Sequence, residues 1–319
     1  MRAAVYDNAG PAEVLVYKEI PDPACGRNDV LIAVEAISIE GGDLINRRSS
    51  PVPRPSFVGG FMAAGRVIAI GANVINRSVG DRVTSFDLDG SHADLRAVPA
   101  SRTWLTPRGI GMLEAAAVPV SFGTADHCLF TRGGLRPGET VLILGGSGGV
   151  GLAAIQLAKR AGAKVLAVTS GSKTTQDLIR LGADHVIDRL KVDTLQEVMR
   201  LTSSEKVDLV IDPIGSTLQA SLAMLKPEGR LVFVGNAGGA KLDVDLWPAL
   251  QGNQSLFGVF MGTQLELPSV HKRVEDILQA VANGELEVVI NGTFRLADAV
   301  TAHQYAETTD ALGRTFLVP

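Results

Sequence analysis

Gly146, Gly148 and Gly151 fall at G-x-G-x-x-G spacing within "TVLILGGSGGVGLAAIQLAKRAGAKV", residues 140–165. An apolar run of strand type precedes them, an amphipathic run of helical type follows, and a second apolar run begins at Lys164. That context gives the spacing a chemical meaning. A glycine turn lets the backbone approach a pyrophosphate, and the next helix presents free N–H groups and its positive dipole end to the anion. Ser147, Gly149 and Val150 complete the turn, so the stretch reads as a dinucleotide cradle. A nucleoside triphosphate loop would need G-x-x-x-x-G-K-[ST], and no lysine follows Gly149 or Gly151.

The end of the next strand bears on which dinucleotide is held. A carboxylate there binds a ribose 2′-hydroxyl. "VLAVTSGSKTT" places Thr169 and Ser170 at that point, followed by Lys173, and Arg189 follows the third strand in "HVIDRLK". Hydroxyls and cations suit a 2′-phosphate, which a carboxylate would repel, so NADP(H) is favoured over NAD(H).

The elements that must position this turn change character near its start. Before Thr140 the chain reads as short strands, "RAAVYD", "EVLVYKEI", "DVLIAVEAIS", "AAGRVIAI" and "DRVTSFD", separated by turn residues. Val30, Ile32, Val34 and Ala36 alternate as in a half-buried antiparallel sheet. From Thr140, apolar strands alternate with helical patterns, an order that predicts a parallel sheet with helices on both faces. The tail closes on a strand, "GRTFLVP", which is expected to return to the first domain.

Bulk properties agree. A chain of 319 residues suggests two domains, and 46% hydrophobic with 20% charged residues suits a globular protein. A net charge of −4 gives no electrostatic case for nucleic acid or an anionic membrane. Cys25 and Cys128 form no metal or disulfide pattern, and the N-terminus has no signal-peptide core, so a cytoplasmic protein is expected.

Taken in order, "MRAAVYDNAGPAEVLVYKEIPDP", "VGDRV", "EAAAVPVSFGTADHCLF", the glycine stretch, "LGADHVID", "VDLVIDPIG", "LKPEGRLVFVGNAGG" and "GRTFLVP" resemble the medium-chain dehydrogenase/reductase superfamily. Within it the chain is similar to the zinc-free quinone oxidoreductases, of which zeta-crystallin is a relative. The resemblance implies an α/β fold in which a Rossmann-type, doubly wound parallel sheet domain, residues 125–263, is inserted in a GroES-like, strand-rich catalytic domain, residues 1–124 and 264–319. In the zinc-dependent branch a cysteine–histidine pair precedes an aspartate, and a G-H-E motif follows later. Here "SIEGGD" has Glu40 and Gly41 in the first positions and "GGFMAAG" has Phe61 and Met62 in the second, a set that does not suit zinc. No metal is expected.

By the same resemblance, Thr124 approaches the nicotinamide amide, and Gly148, Gly149 and Val150 meet the pyrophosphate. Ser170, Lys173 and Arg189 surround the 2′-phosphate, Asn236 ends the fifth strand, and Phe260 and Met261 border the nicotinamide. Arg314 is a further cofactor contact. Glu40, Ile45, Phe61 and Met62 form the substrate side, where the family's asparagine and tyrosine are missing. No catalytic group is assigned; Asp43 and Arg47 are candidates, but a structural ion pair is the favoured reading of the two. His127 reads as structural. The implied chemistry is zinc-independent hydride delivery from NADPH to a small electron-poor acceptor, a quinone or an α,β-unsaturated carbonyl, by a homodimer or homotetramer. A crystallin-like or redox-sensing nucleotide binder without turnover, and an alcohol or enoyl-thioester reductase, are the alternatives.

Overall fold

The computed structural model describes residues 1–239, 241–308 and 312–319. The chain divides into two compact units. One comprises Met1–Gly123, Gly262–Thr308 and Gly313–Pro319, and the other is built on Thr124–Met261.

The second unit carries a six-stranded, wholly parallel sheet in the order His185–Asp188, Lys164–Thr169, Thr140–Ile143, Val207–Asp212, Leu225–Phe233, Ser255–Gly258. This is the doubly wound order in which the first and fourth strands lie side by side, so connections leave in opposite directions and open a crevice between them. Apolar residues occupy both sheet faces because helices cover both: Leu142, Leu166, Val210 and Leu231 on one face and Val141, Ile143, Val165 and Ile211 on the other are fully buried. The helices Gly149–Arg160, Thr175–Arg180, Thr194–Leu201 and Leu218–Met224 occupy the segments whose periodicity predicts them.

The first unit is strand-rich. Asp29–Ile39 is its axis, pairing antiparallel with Met62–Ile70, Leu95–Pro99 and Arg314–Val318. Val30, Ile32, Val34 and Ala36 are buried as their alternation predicts, and the strand's last residues are buried on both faces. The tail strand returns as expected, with Thr315 opposite Ile39 and Phe316 opposite Ser38.

Several details differ from the sequence reading. "EVLVYKEI" splits into a 3₁₀ turn, Ala12–Val14, and a strand, Val16–Glu19. Leu95–Pro99, Thr103–Leu105 and Ile290–Arg295 are additional strands. They are short, and their neighbours in the sheet supply the pattern that so few residues cannot carry. Val118–Phe122 and His127–Arg132 wind as π-type turns. Among the described residues no helix is long and apolar enough to cross a membrane.

Candidate functional site

The glycine cradle sits at the carboxyl end of Thr140–Ile143. Gly146 N–H donates to Val168 C=O at 2.8 Å, and Gly148 N–H to Gly145 C=O at 3.0 Å, which closes the turn. Gly145 has a φ of +61°, the left-handed region open to glycine. A Cβ on Gly151 would lie 2.2 Å from Gly145 O, so the helix can pack this close to the turn only without a side chain there. On Gly148, by contrast, a Cβ would meet nothing closer than 3.5 Å. Gly148 caps the helix Gly149–Arg160, whose first-turn N–H groups have no carbonyl four residues back. Backbone geometry thus fits an anion at this point.

On the adjacent fourth strand Asp212, fully buried, accepts from Ile214 N–H at 2.8 Å, Gly215 N–H at 3.0 Å and Ser221 Oγ–H at 2.8 Å. It thereby shapes the loop against which Gly145 rests. Asn236, after the strand Leu225–Phe233, packs onto Gly215 of that loop.

The second and third strands end in a cationic group. Arg189 Nε donates to Ser170 Oγ at 2.7 Å, and Lys191 Nζ to Ser172 Oγ at 3.2 Å. Lys191 is a cation that sequence reasoning missed, although it stands two residues beyond Arg189. Asp188 is the one acid in this group: its Oδ1 is spent on the N–H groups of Gly171, at 2.9 Å, and Leu190, at 3.1 Å, and its Oδ2 stands 3.7 Å from Lys191 Nζ. Lys173 is exposed, Thr124 is buried, Met261 is buried, and Phe260 is 62% exposed. His127 is buried with neither ring nitrogen hydrogen-bonded, and burial lowers its pKa, which keeps the ring neutral.

In the first unit the helix Gly41–Ser49 organises a buried polar cluster. Glu40 precedes it, only 3% exposed, accepting from Ser38 Oγ–H at 2.7 Å and from Ser121 Oγ–H at 3.4 Å. Arg314 Nη2 stands 2.9 Å from Glu40 Oε2, an ion-pair contact outside hydrogen-bond angles. The structure therefore joins two residues assigned above to different partners, one to substrate and the other to cofactor.

Asp43 and Arg47 do not behave as the expected ion pair. Asp43 takes two backbone N–H groups, Glu40 at 2.8 Å and Phe61 at 3.1 Å, and burial pushes its carboxyl up to about 8. Arg47 pairs instead with Glu307. It also reaches His303 Nδ1 at 3.4 Å, and His303 Nε2 meets His92 Nε2 at 2.9 Å. Asp43, Arg47, His92 and His303 line a cavity of about 20 Å³ with Tyr6, Phe57 and Phe61. Met62 is fully buried in its strand, opposite Ser38 and Phe86, so it packs in the core, while Ile45 is half-buried.

Residues 26–122 match the family described as alcohol dehydrogenase GroES-like domain, and residues 149–282 the one described as zinc-binding dehydrogenase. A quinone oxidoreductase of Pseudomonas aeruginosa is 30% identical over 316 residues, covering 97% of each chain. The chain belongs to the quinone oxidoreductase branch of the medium-chain dehydrogenase/reductase superfamily. As a member it is an oxidoreductase with the GroES-like and Rossmann-type halves of that family. A 2-haloacrylate reductase of a Burkholderia species is 28% identical, covering 100% of this chain and 99% of its own. A synaptic vesicle membrane protein VAT-1 homologue of Danio rerio is 28% identical, and the chain spans 65% of its length. Among solved structures, the Escherichia coli quinone oxidoreductase complexed with NADPH superposes with a TM-score of 0.93 at 26% identity, over 100% of both chains. Among the described residues no group of three or more histidine, cysteine, aspartate or glutamate side chains is placed to hold a metal.

Proposed function

We propose that this quinone oxidoreductase relative is a zinc-independent, NADPH-dependent reductase delivering hydride to an electron-poor acceptor, a quinone or an α,β-unsaturated carbonyl. The observation that carries the cofactor choice is the Ser170–Arg189 contact with Lys191 beside it. Two cations and two serine hydroxyls gather where an acid would select the ribose hydroxyl, and the nearby Asp188 is engaged by two backbone amides and by Lys191. The NADPH complex of the Escherichia coli relative supports the same reading.

The glycine turn would hold the pyrophosphate by backbone N–H groups, leaving the side chains of the first unit to bind the acceptor and exclude water. Glu40, at one position where the zinc branch has a ligand, is already paired with Arg314, and Phe61 and Met62 offer no hard donor. The chemistry that NADPH supplies when bound is hydride transfer. Without a Lewis acid, that transfer is easiest to acceptors whose product anion is delocalised, with a proton following from water.

Assembly as a homodimer or homotetramer through the edge strand Ser255–Gly258 belongs to this proposal: Leu256, Trp247 and Leu250 are exposed in that unit. So do a cytoplasmic setting and the functional boundaries 1–124 and 264–319 against 125–263.

The test is steady-state turnover of 1,4-naphthoquinone with NADPH and NADH in parallel, before and after exhaustive chelation. Turnover should survive chelation and prefer NADPH. Arg189→Ala with Lys191→Ala should raise the NADPH KM about tenfold, for the loss of charge-assisted phosphate contacts, and leave the NADH KM within about twofold. Loss of turnover restored only by zinc, or equal effects on both cofactors, would remove the corresponding half of the proposal.

A further inference from the structure

Two buried ionisable side chains on different elements converge on the peptide groups of one residue. Asp43 and Arg96 are 4% and 2% exposed. Asp43 Oδ1 accepts from Phe61 N–H at 3.1 Å, and Arg96 Nη2 donates to Phe61 C=O at 2.8 Å. Asp87 N–H donates to the same carbonyl at 3.1 Å. Burying a polar or charged group is costly, and here both side chains spend hydrogen bonds on fixing a single backbone position.

The side chain is equally confined. A Cβ on Gly42 would fall 2.5 Å from a Phe61 ring carbon, so the ring lies flush on the start of the helix Gly41–Ser49. Phe86 meets it edge-on, centroids 6.1 Å apart at 67°. Met62, the next residue, is fully buried. Yet Phe61 itself is only half-buried. A ring held from both ends of its peptide, seated on a glycine and left partly open, is a preorganised apolar surface.

We propose that Phe61 is a fixed aromatic platform that selects acceptors carrying a fused aromatic ring over small acceptors without one, with Asp43, Arg96 and Gly42 as its positioning residues. The inference rests on the reductase reading above for its place in catalysis, but not for its binding. An offset-stacked aromatic pair contributes beyond its buried area, and that increment is absent for an acceptor without an aromatic ring.

The test compares 1,4-naphthoquinone with methyl vinyl ketone as acceptors under saturating NADPH. Phe61→Leu should lower kcat/KM for the naphthoquinone about three- to tenfold, mostly through KM, and that for the enone less than about twofold. Phe61→Tyr, which keeps the ring, should hold the ratio between the two acceptors within about twofold of the unmodified protein. Arg96→Lys should move the naphthoquinone KM in the same direction as Phe61→Leu without moving the NADPH KM. Equal losses for both acceptors, or an unchanged naphthoquinone KM, would overturn the platform. If Phe61→Leu does not fold, Phe61→Met takes its place with the same expectations. Anaerobic calorimetry with 1,4-naphthohydroquinone, planar and already reduced, separates the two readings. A wild-type protein that turns over neither acceptor refutes the reductase, whereas the platform stands only if Phe61→Leu weakens hydroquinone binding and falls if it does not.

Discussion

The Nε2 atoms of His92 and His303 face each other at 2.9 Å inside the strand-rich unit. One must donate and the other accept, so at least one ring is neutral. Arg47 decides which: its guanidinium donates to His303 Nδ1, leaving His303 Nε2–H to donate to His92 and His92 Nδ1–H to point to Ser91 Oγ, 3.2 Å away. Burial lowers His92 to about 4 and His303 to about 2, with Arg96 adding to the first and the His92–Arg47 surroundings to the second.

A pH optimum of stability follows. Between pH 6.5 and about 4 the unfolded chain protonates both histidines while the folded one resists, so stability falls as pH falls, by up to about 1.4 kcal/mol per pH unit for each group. Asp43 has the opposite sign: its folded pKa is raised to about 8, so its contribution is lost as pH rises from about 4 to 8. Two histidines outweigh one aspartate below pH 6.5, and the aspartate acts alone above it. Thermal midpoints should therefore peak near pH 6.5 and decline on both sides. His92→Gln with His303→Gln should flatten the acid side and Asp43→Asn the alkaline side. A midpoint that rises steadily from pH 5 to 8 contradicts this balance.

Gly151→Ala should separate the turn from the helix. The added Cβ would meet Gly145 O at 2.2 Å and Gly146 Cα at 2.8 Å, both backbone atoms that cannot step aside. The expected cost is about 1–3 kcal/mol of stability, with at least a tenfold weaker NADPH dissociation constant by fluorescence titration. Gly148→Ala, with open space beside it, should fold normally. Equal stability of the two variants would show that close packing does not set the requirement.

Glu40 and Arg314 should be coupled. Removing one charge leaves its partner desolvated, so Glu40→Ala should cost about 3 kcal/mol in chemical denaturation. Glu40→Gln combined with Arg314→Gln should recover much of that loss, and a double-mutant cycle with no interaction energy would show that the pair is only a contact of convenience.

Much of this molecule was legible in order. The glycine turn needs only its own residues and the apolar runs beside it, so "GGSGGVG" announced its geometry, and the strand alternation at Val30–Ala36 announced a buried face. The return of "GRTFLVP" to the first unit was also readable. What neighbours along the chain cannot encode is the identity of distant partners. Arg47 was matched with Asp43, four residues away, yet its carboxylate is Glu307. Lys191 entered the cationic group only once parallel strands had brought residues 170–172 beside residues 188–191.

The sequence by itself determined the alternation of strands and helices around a parallel sheet, the position of the anion cradle and the absence of an acid after Val168, because each depends on periodicity or on residue type at a fixed local offset. Only the tertiary structure decided what Glu40, Asp43, Phe61 and Arg314 do. The register that sets Thr315 opposite Ile39 carries Arg314 to Glu40, and the packing of the sheet against the helix Gly41–Ser49 brings Asp43 and Arg96 to the two ends of Phe61. Such contacts arise from sheet register and close packing, which join residues that share no local pattern.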